Sequence, residues 1–487
     1  MTAELSVDEY RSLLSDALPR AQDADTVQPT LNTLFTPDSH RLALDVDTTV
    51  VRGGRGVGKT FWFRSLLDER LRMVAAQEYR IDRLSRLTVA AGYGAALDPD
   101  RYPGPASLRT LVESGVEPKD LWTTVLLVVL GQPELLKIRP WKDRVEWVRA
   151  HPDDRDRTIA DSDRMAQAEG STRLILFDAL EHLHADRREA DRLVAGILQL
   201  ALELRLGTRN IRCKIFIRPD MFDGALLHFP DASKLTTNAA SLHWAPANLY
   251  GLFFHSLGNQ QGQVAARFRE VARGWSEPTP SRFLPPSSLR GDEQAQAEAF
   301  KAIAGPYMGA NFRKGHTYTW LPNHLMDGAE QVSPRSFLNA LSEAVEETIA
   351  RYATHIYAIH HEGIRSGVQS ASRIRVREIR EDLPWVPVAI EPLEGQQVPI
   401  DESSVLELWQ EGDLTEALSR QAETLSGGEE GAIRTGPRHP HRYGDLVEEL
   451  IELGVMRRRK DSRIDLPDVY RIAFSIGRRG GVPKVKA

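Results

Sequence analysis

The sequence predicts an α/β fold, a parallel sheet with helices on both faces, and three observations carry that prediction. Short apolar, β-branched runs recur through the first half of the chain. They alternate with long amphipathic helical patterns, the signature of β-α-β units. The first run also leads straight into a glycine-rich turn and then a helix. The runs lie at residues 43–54 (ALDVDTTVVRGG), Arg86–Gly94, Arg173–Leu180 and Ile211–Pro219. Helices are expected at 61–77 (FWFRSLLDERLRMVAAQ) and 188–206 (READRLVAGILQLALELRL). Residues 97–170, rich in proline and charge, read as a helical insertion.

The chain has 487 residues, 41% of them hydrophobic and 27% charged, which suits about three domains with packed cores. No run approaches the roughly 18 apolar residues of a membrane span. Val125–Leu130 is far too short and reads as a buried helix. The start, MTAELSVDEYRSLL, lacks the basic-then-apolar pattern of a secretory signal, so a cytoplasmic address is expected. Cys213 is the single cysteine, which excludes an intramolecular disulfide and a Cys-rich metal site. The pairs His360/His361 and His439/His441 lack metal-ligand spacing.

Gly53-Gly54-Arg55-Gly56-Val57-Gly58-Lys59-Thr60 matches G-x-x-x-x-G-K-[ST], the P-loop. Its glycines let backbone N–H groups converge on phosphate oxygens, and the following helix adds its positive end. Lys59 is expected to reach the β- and γ-phosphates of a nucleotide, and Thr60 to put its hydroxyl on Mg²⁺. The competing reading is a glycine turn before an ordinary helix. The second acidic element is Leu174-Ile175-Leu176-Phe177-Asp178, an apolar strand ending in an acid. Asp178 is the candidate metal holder and Glu181, three residues on, the candidate for polarising the attacking water. Alternatively Asp178 caps the next helix and Glu181 is merely solvated. Arg218 or Asp220, at the end of the strand that reaches Ile217, is a candidate phosphate sensor, with a structural salt bridge as the alternative. A G-protein-like Asn-Lys-x-Asp motif is not seen, which leans towards ATP over GTP.

Net charge is −6, but residues 457–487 carry ten Lys/Arg against three acids, a net +7 that leaves −13 for the rest. Tyr443–Met456 has helical spacing and ends at Gly454. Val455–Lys460 and Asp461–Leu466 read as two short strands around a polar turn. Arg457, Arg458, Arg459, Lys460 and Arg463 fall on that hairpin, with Arg478, Arg479, Lys484 and Lys486 beyond it. They could neutralise DNA phosphates; the alternatives are a solvated tail or a wing docked on an acidic face.

In order, VVRGGRGVGKT, LILFDALEHL and KIFIRPDMF resemble the core of an AAA+-like P-loop ATPase, nearest to the bacterial STAND and KAP-like group. The likeness covers roughly residues 30–350. It implies a P-loop NTPase core at 41–245 that binds ATP and Mg²⁺, with Lys59, Asp178 and Glu181 in catalysis, and a helical lid at 246–365. Ser333-Pro334-Arg335-Ser336-Phe337-Leu338 resembles the start of the lid's sensor-2 helix, which implies that Arg335 contacts nucleotide. The helix and hairpin at 441–487 resemble the end of a winged-helix domain. Residues 1–40 remain as an N-terminal helical extension and 366–440 as a connecting region with linkers, including Glu391–Pro399 and Ser426–Arg442. Two departures stand out: Ala179 occupies the place of a common second acid, and no arginine finger is identified. Leu425-Ser426-Gly427-Gly428-Glu429 imitates the ABC ATPase signature, but it follows the acidic strand instead of preceding it and reads as chance.

The reading is a nucleotide-dependent switch or motor, forming homo-oligomers with nucleotide, with a DNA or protein partner at 441–487 and a role in bacterial defence suggested by the group it resembles. The alternatives are a nucleotide-gated DNA-binding regulator with little turnover and an adaptor ATPase acting on a protein.

Overall fold

The computed structural model describes residues 5–18, 28–184, 186–226, 229, 232–426 and 436–480. They form two compact units, one spanning Asp38–Leu242, the other assembled from the segment up to Pro37, His243–Ser426 and the stretch from Gly436 onward.

In the Asp38–Leu242 unit the strands are β1 (Val50–Arg52), β2 (Leu87–Tyr93), β3 (Thr172–Phe177), β4 (Ile211–Ile217) and β5 (Ala239–Ser241). They pair in the order β2-β3-β4-β1-β5, all parallel. The central strands β3 and β4 are almost wholly buried and correspondingly apolar, as strands covered on both faces must be. Parallel neighbours need crossovers, supplied by helices such as α1 (Lys59–Leu67), α2 (Arg187–Gly207) and α3 (Pro219–Leu226). This is the P-loop NTPase core that the sequence predicts.

Three local readings change. Only Val50–Arg52 of the 43–54 run is strand. Arg41–Leu44 is a helical turn, and the Thr48 hydroxyl donates to the Leu42 carbonyl at 2.7 Å. The buried Lys214 ammonium then donates to the carbonyls of Ala43, Asp45 and Thr48 at 2.7–2.8 Å, tying this bend to β4. The helix expected at 61–77 is two helices, α1 and Glu69–Tyr79, because the Asp68 carboxylate accepts from Leu71 N–H at 3.0 Å and caps a new start. β5, Ala-Ala-Ser, was not foreseen: it has no β-branched residue and is a strand only because β1 offers a free edge. Within the insertion, Pro118–Val129 is the buried helix expected around Val125, and its Trp122 indole donates to Leu193 O at 2.8 Å.

The other unit is mostly helical. Its longest pair is α4 (Pro334–Arg351) and α5 (His361–Asp382). A Cβ at Gly363 would lie 2.5 Å from Ala344 O and one at Gly367 2.1 Å from Ala340 O, so the two backbones run antiparallel in contact at glycine. The N-terminal helix Val7–Ala17 packs into this unit: buried Arg11 donates to the carbonyls of Ala353 (2.6 Å), Tyr357 (3.3 Å) and Ala358 (3.4 Å). Within this mostly helical unit, Ser276–Thr279 pairs antiparallel with Arg282–Leu284 as a small hairpin.

One hydrophobic core collects Trp385, Val405 and Trp409 together with Leu446, Leu450 and Ile464. The stretch read as a connecting region therefore shares its packing with the helix Tyr443–Glu452 and the antiparallel hairpin Arg457–Arg458/Ile464–Asp465, a winged-helix arrangement. Buried acids organise the wing's arginines. Asp465 faces Arg457 (3.1 Å), Arg459 (3.0 Å) and Arg478 (3.1 Å). Asp468 faces His324 (2.5 Å), Arg471 (2.5 Å) and Arg478 (3.0 Å). Arg458 pairs with Glu402 and Glu448 (2.5 Å for the latter), and Arg463 pairs with Asp461 at 2.7 Å. Lys484 and Lys486 lie outside the described residues, as do Gly427, Gly428 and Glu429 of the ABC-like motif. Among the described residues no helix is long and apolar enough to cross a membrane, and no His/Cys/Asp/Glu group could hold a metal ion on its own.

Burial raises the Asp468 carboxyl, but His324, Arg471 and Arg478 outweigh it and hold the group far below the usual carboxylate value. A depressed folded-state value adds stability above the unfolded value, near 3.9, and that stability is lost as pH falls through the folded one. Asp468→Asn should therefore destabilise the protein at pH 7 by about 3 kcal/mol and lower its melting midpoint. The gap from wild type should begin to narrow only below about pH 4 and keep shrinking as pH falls towards the folded value; equal midpoints at pH 7 would contradict the assignment.

Candidate functional site: a phosphate loop at three strand tips

The site is built where β1, β4 and β3 end side by side. Arg52 is in register with Ile217, and Gly53 N–H donates to Ile217 O at 3.0 Å, so the chain leaves β1 against the tip of β4. Gly56 (φ 76°) and Gly58 (φ 104°) then take left-handed conformations that fold residues 53–58 into a tight loop. Gly58 is the N-cap of α1, so the loop sits on that helix's positive end. Gly53 is buried beneath the loop: a Cβ there would lie 2.5 Å from Val57 Cγ2. Val57 is buried, while Gly54, Arg55 and Gly56 are half-buried around the concave side.

Lys59 opens α1 and is 9% exposed. Its ammonium donates to the carbonyls of Gly53 and Gly54, both at 2.9 Å. Burial pulls its pKa below the ordinary lysine value, while Glu181 and Asp178 pull the other way and Arg218 adds to the lowering. Thr60 follows, and its hydroxyl lies near enough to Asp178 to favour the ionised carboxylate.

Asp178 directly follows β3, and its N–H donates to Tyr93 O on the neighbouring strand at 3.1 Å. It is 2% exposed. Burial and the charge of Glu181 push its pKa up to about 6, against the Thr60 hydroxyl, Lys59 and the Ala179 N–H. Ala179 takes φ 58°, a left-handed turn that a side chain rarely adopts, and it swings the chain into the 3-10 turn Leu180–His182 that carries Glu181. Burial raises Glu181, but Lys59, its own N–H, Arg218 and His182 together hold it below the ordinary glutamate value, so it is ionised at neutral pH. Asp178 thus follows the strand and makes no helix cap; the sharp Ala179 turn brings Glu181 back towards Lys59.

Arg218, one residue beyond β4, pairs with Asp220 at 3.1 Å. Both are close enough to influence the ionisation of Lys59. Arg187, from the start of α2, also faces Asp220 and was not singled out by the sequence: no spacing rule links it to a residue in another helix. Arg335 lies in the other unit, on the first turn of α4, where it pairs with Glu378 at 3.1 Å.

The donor set suits a hard divalent cation. The Thr60 hydroxyl and the Asp178 carboxyl are both oxygen ligands, near enough for the hydroxyl to favour the carboxylate, and Asp178 is a buried acid whose anion a cation would stabilise. The fold and this loop together define a P-loop NTPase core. No protein-family model matches the chain, and no curated protein matches it. Among solved structures it is similar to the Aeropyrum pernix ORC2 protein in its ADPNP–ADP complexes, with 14% identity over 87% of this chain and 85% of that one and a TM-score of 0.36. It is also similar to the ADP form of that protein, with 12% identity over 88% and 84% and a TM-score of 0.29.

The packing beneath the loop separates two neighbouring glycines. Gly53→Ala drives a methyl into Val57, whereas a Cβ on Gly54 meets nothing within 4 Å. Calorimetric titration with ATP should show at least about tenfold weaker binding for Gly53→Ala and a smaller change for Gly54→Ala; the reverse ranking would contradict the loop geometry.

Proposed function

We propose that this chain is an ATP-binding and ATP-hydrolysing switch or motor of the AAA+-like kind, nearest to the bacterial STAND and KAP-like group. The observation that carries the reading is the convergence of Lys59, Thr60, Asp178 and Glu181 on one loop at adjacent strand tips. In this reading the N–H groups of Gly53–Gly58 cradle the phosphates and Lys59 leaves the Gly53 and Gly54 carbonyls to meet the β- and γ-phosphates. Thr60 and Asp178 hold Mg²⁺, which when bound neutralises phosphate charge. Glu181, kept ionised by Lys59 and Arg218, orients a water in line with the γ-phosphorus and takes up its proton. Arg218 reads the γ-phosphate, and Arg335 serves as the nucleotide contact that the resemblance implies.

The winged-helix region would report nucleotide state to a partner, in a nucleotide-dependent homo-oligomer and in bacterial defence. Pairing of Arg457, Arg458, Arg459, Arg471 and Arg478 with acids of their own unit favours a protein partner over DNA. The adaptor reading therefore ranks above the DNA-binding regulator.

Phosphate release with saturating ATP and Mg²⁺ provides the test. Wild type should turn over. Glu181→Gln should lose at least about a hundredfold in kcat while ATP affinity stays within about threefold. Lys59→Ala should lose binding outright, since a cation about 4 Å from phosphate contributes roughly 4 kcal/mol. Unchanged turnover in Glu181→Gln would remove it from the chemistry, and unchanged affinity in Lys59→Ala would overturn the whole reading.

A further inference from the structure

Behind the tip of β4, Arg218 begins a chain of four alternating charges, and the hydrolysis described above gives no task to the other three, Asp220, Arg187 and Asp191. Arg218 Nε sits 3.1 Å from Asp220 Oδ1, and its Nη2 donates to Oδ2 at 3.5 Å. Arg187 Nη2 shares that second oxygen, 3.6 Å from Oδ2, and donates to the Asp220 carbonyl at 3.3 Å. Arg187 Nε is in turn 3.6 Å from Asp191 Oδ2, one turn along α2. All four side chains are nearly buried, at 7–12% exposure. The packing around them is close: a Cβ on Gly224 of α3 would lie 2.9 Å from Asp191 Oδ2, so α3 rests directly against this acid.

This arrangement addresses a problem that the proposed phosphate sensor creates. A buried carboxylate that loses its cation costs several kcal/mol. If Arg218 were the sole cation facing Asp220, drawing it to a terminal phosphate would incur that cost and the sensor would stay locked. Arg187 is a second cation on the same carboxylate, brought to Oδ2 from an independent helix.

Resting on the nucleotide reading above, we propose that Arg187 is a positioning residue: it retains Asp220 while Arg218 is transferred to the γ-phosphate, and so sets how strongly the site distinguishes ATP from ADP. Arg187 itself touches no phosphate. Its removal strengthens the hold of Asp220 on Arg218, so the γ-phosphate competes less well, whereas ADP, which asks nothing of Arg218, is unaffected. Neutralising Asp220 acts in the opposite direction, because Arg218 is then released.

The experiment is calorimetric titration of the full chain with ADP and with a non-hydrolysable ATP analogue, both with Mg²⁺, alongside steady-state kcat. Arg187→Gln should weaken the analogue by about tenfold, keep ADP within about twofold, and lower kcat. Asp220→Asn should shift the analogue-to-ADP preference the other way. The double variant Arg187→Gln/Asp220→Asn should regain analogue affinity to within about threefold of wild type. A merely structural role predicts equal losses for both nucleotides and no rescue, and either result overturns the proposal. If Arg187→Gln fails to fold, Asp220→Asn decides: an analogue preference that falls or stays unchanged sinks the idea. Wild type that binds neither nucleotide would defeat the nucleotide reading and this inference together. Wild type that binds both, with a preference indifferent to Arg187, would defeat this inference alone.

Discussion

The Asp38–Leu242 unit is organised around one electrostatic constraint: a lysine withdrawn from water must keep its charge. Burial alone drives Lys59 towards neutrality, and the carboxylates of Glu181 and Asp178 oppose it. Those acids follow β3, Lys59 follows β1, and β4 lies between them with Arg218 at its tip. The sheet order is therefore part of the site: a different order would separate charges that need each other. The nearly continuous apolar runs of β3 and β4 serve the same end, since strands buried on both faces leave only their tips for polar chemistry.

The two units handle buried charge in different ways. At the loop, cations and anions face a concave backbone whose N–H groups and helix end are suited to an incoming anion, and Lys59 fills part of that need with the loop's own carbonyls. Around Asp465 and Asp468 the balance is internal: buried acids gather arginines from the hairpin and its flanking segments, and the paired charges hold short elements together. A +7 segment thus presents less free positive charge than its composition suggests. Composition counts charges, whereas a partner meets only those without a closer counter-ion.

Much of the fold could be read from local pattern. β2, β3 and β4 have the lengths and β-branched or apolar content that strands need, and α2 has an unbroken helical stripe. The places where reading fell short share a cause. Asp68 looks like an ordinary helical residue until its carboxylate caps Leu71 N–H. Ala43–Val46 looks like strand until Lys214, far along the chain, collects its carbonyls. Ala239–Ser241 becomes strand because β1 is there to pair with it. Trp385, Val405 and Trp409 lie in the 366–440 stretch read as a connecting region, and their joining the core with Leu446 and Leu450 is a matter of long-range packing.

The sequence by itself determined the phosphate loop and the acidic strand. Both are local: glycines at fixed offsets admit left-handed backbone, and an apolar run ending in an acid places that acid at a strand tip. Tertiary structure alone decided which charges keep company. It brought Thr60 near Asp178, turned Glu181 back through the strained Ala179, set Arg187 against Asp220, and drew the wing's arginines onto buried aspartates. Electrostatic partnership depends on distance and dielectric, and neither quantity is carried by spacing along the chain.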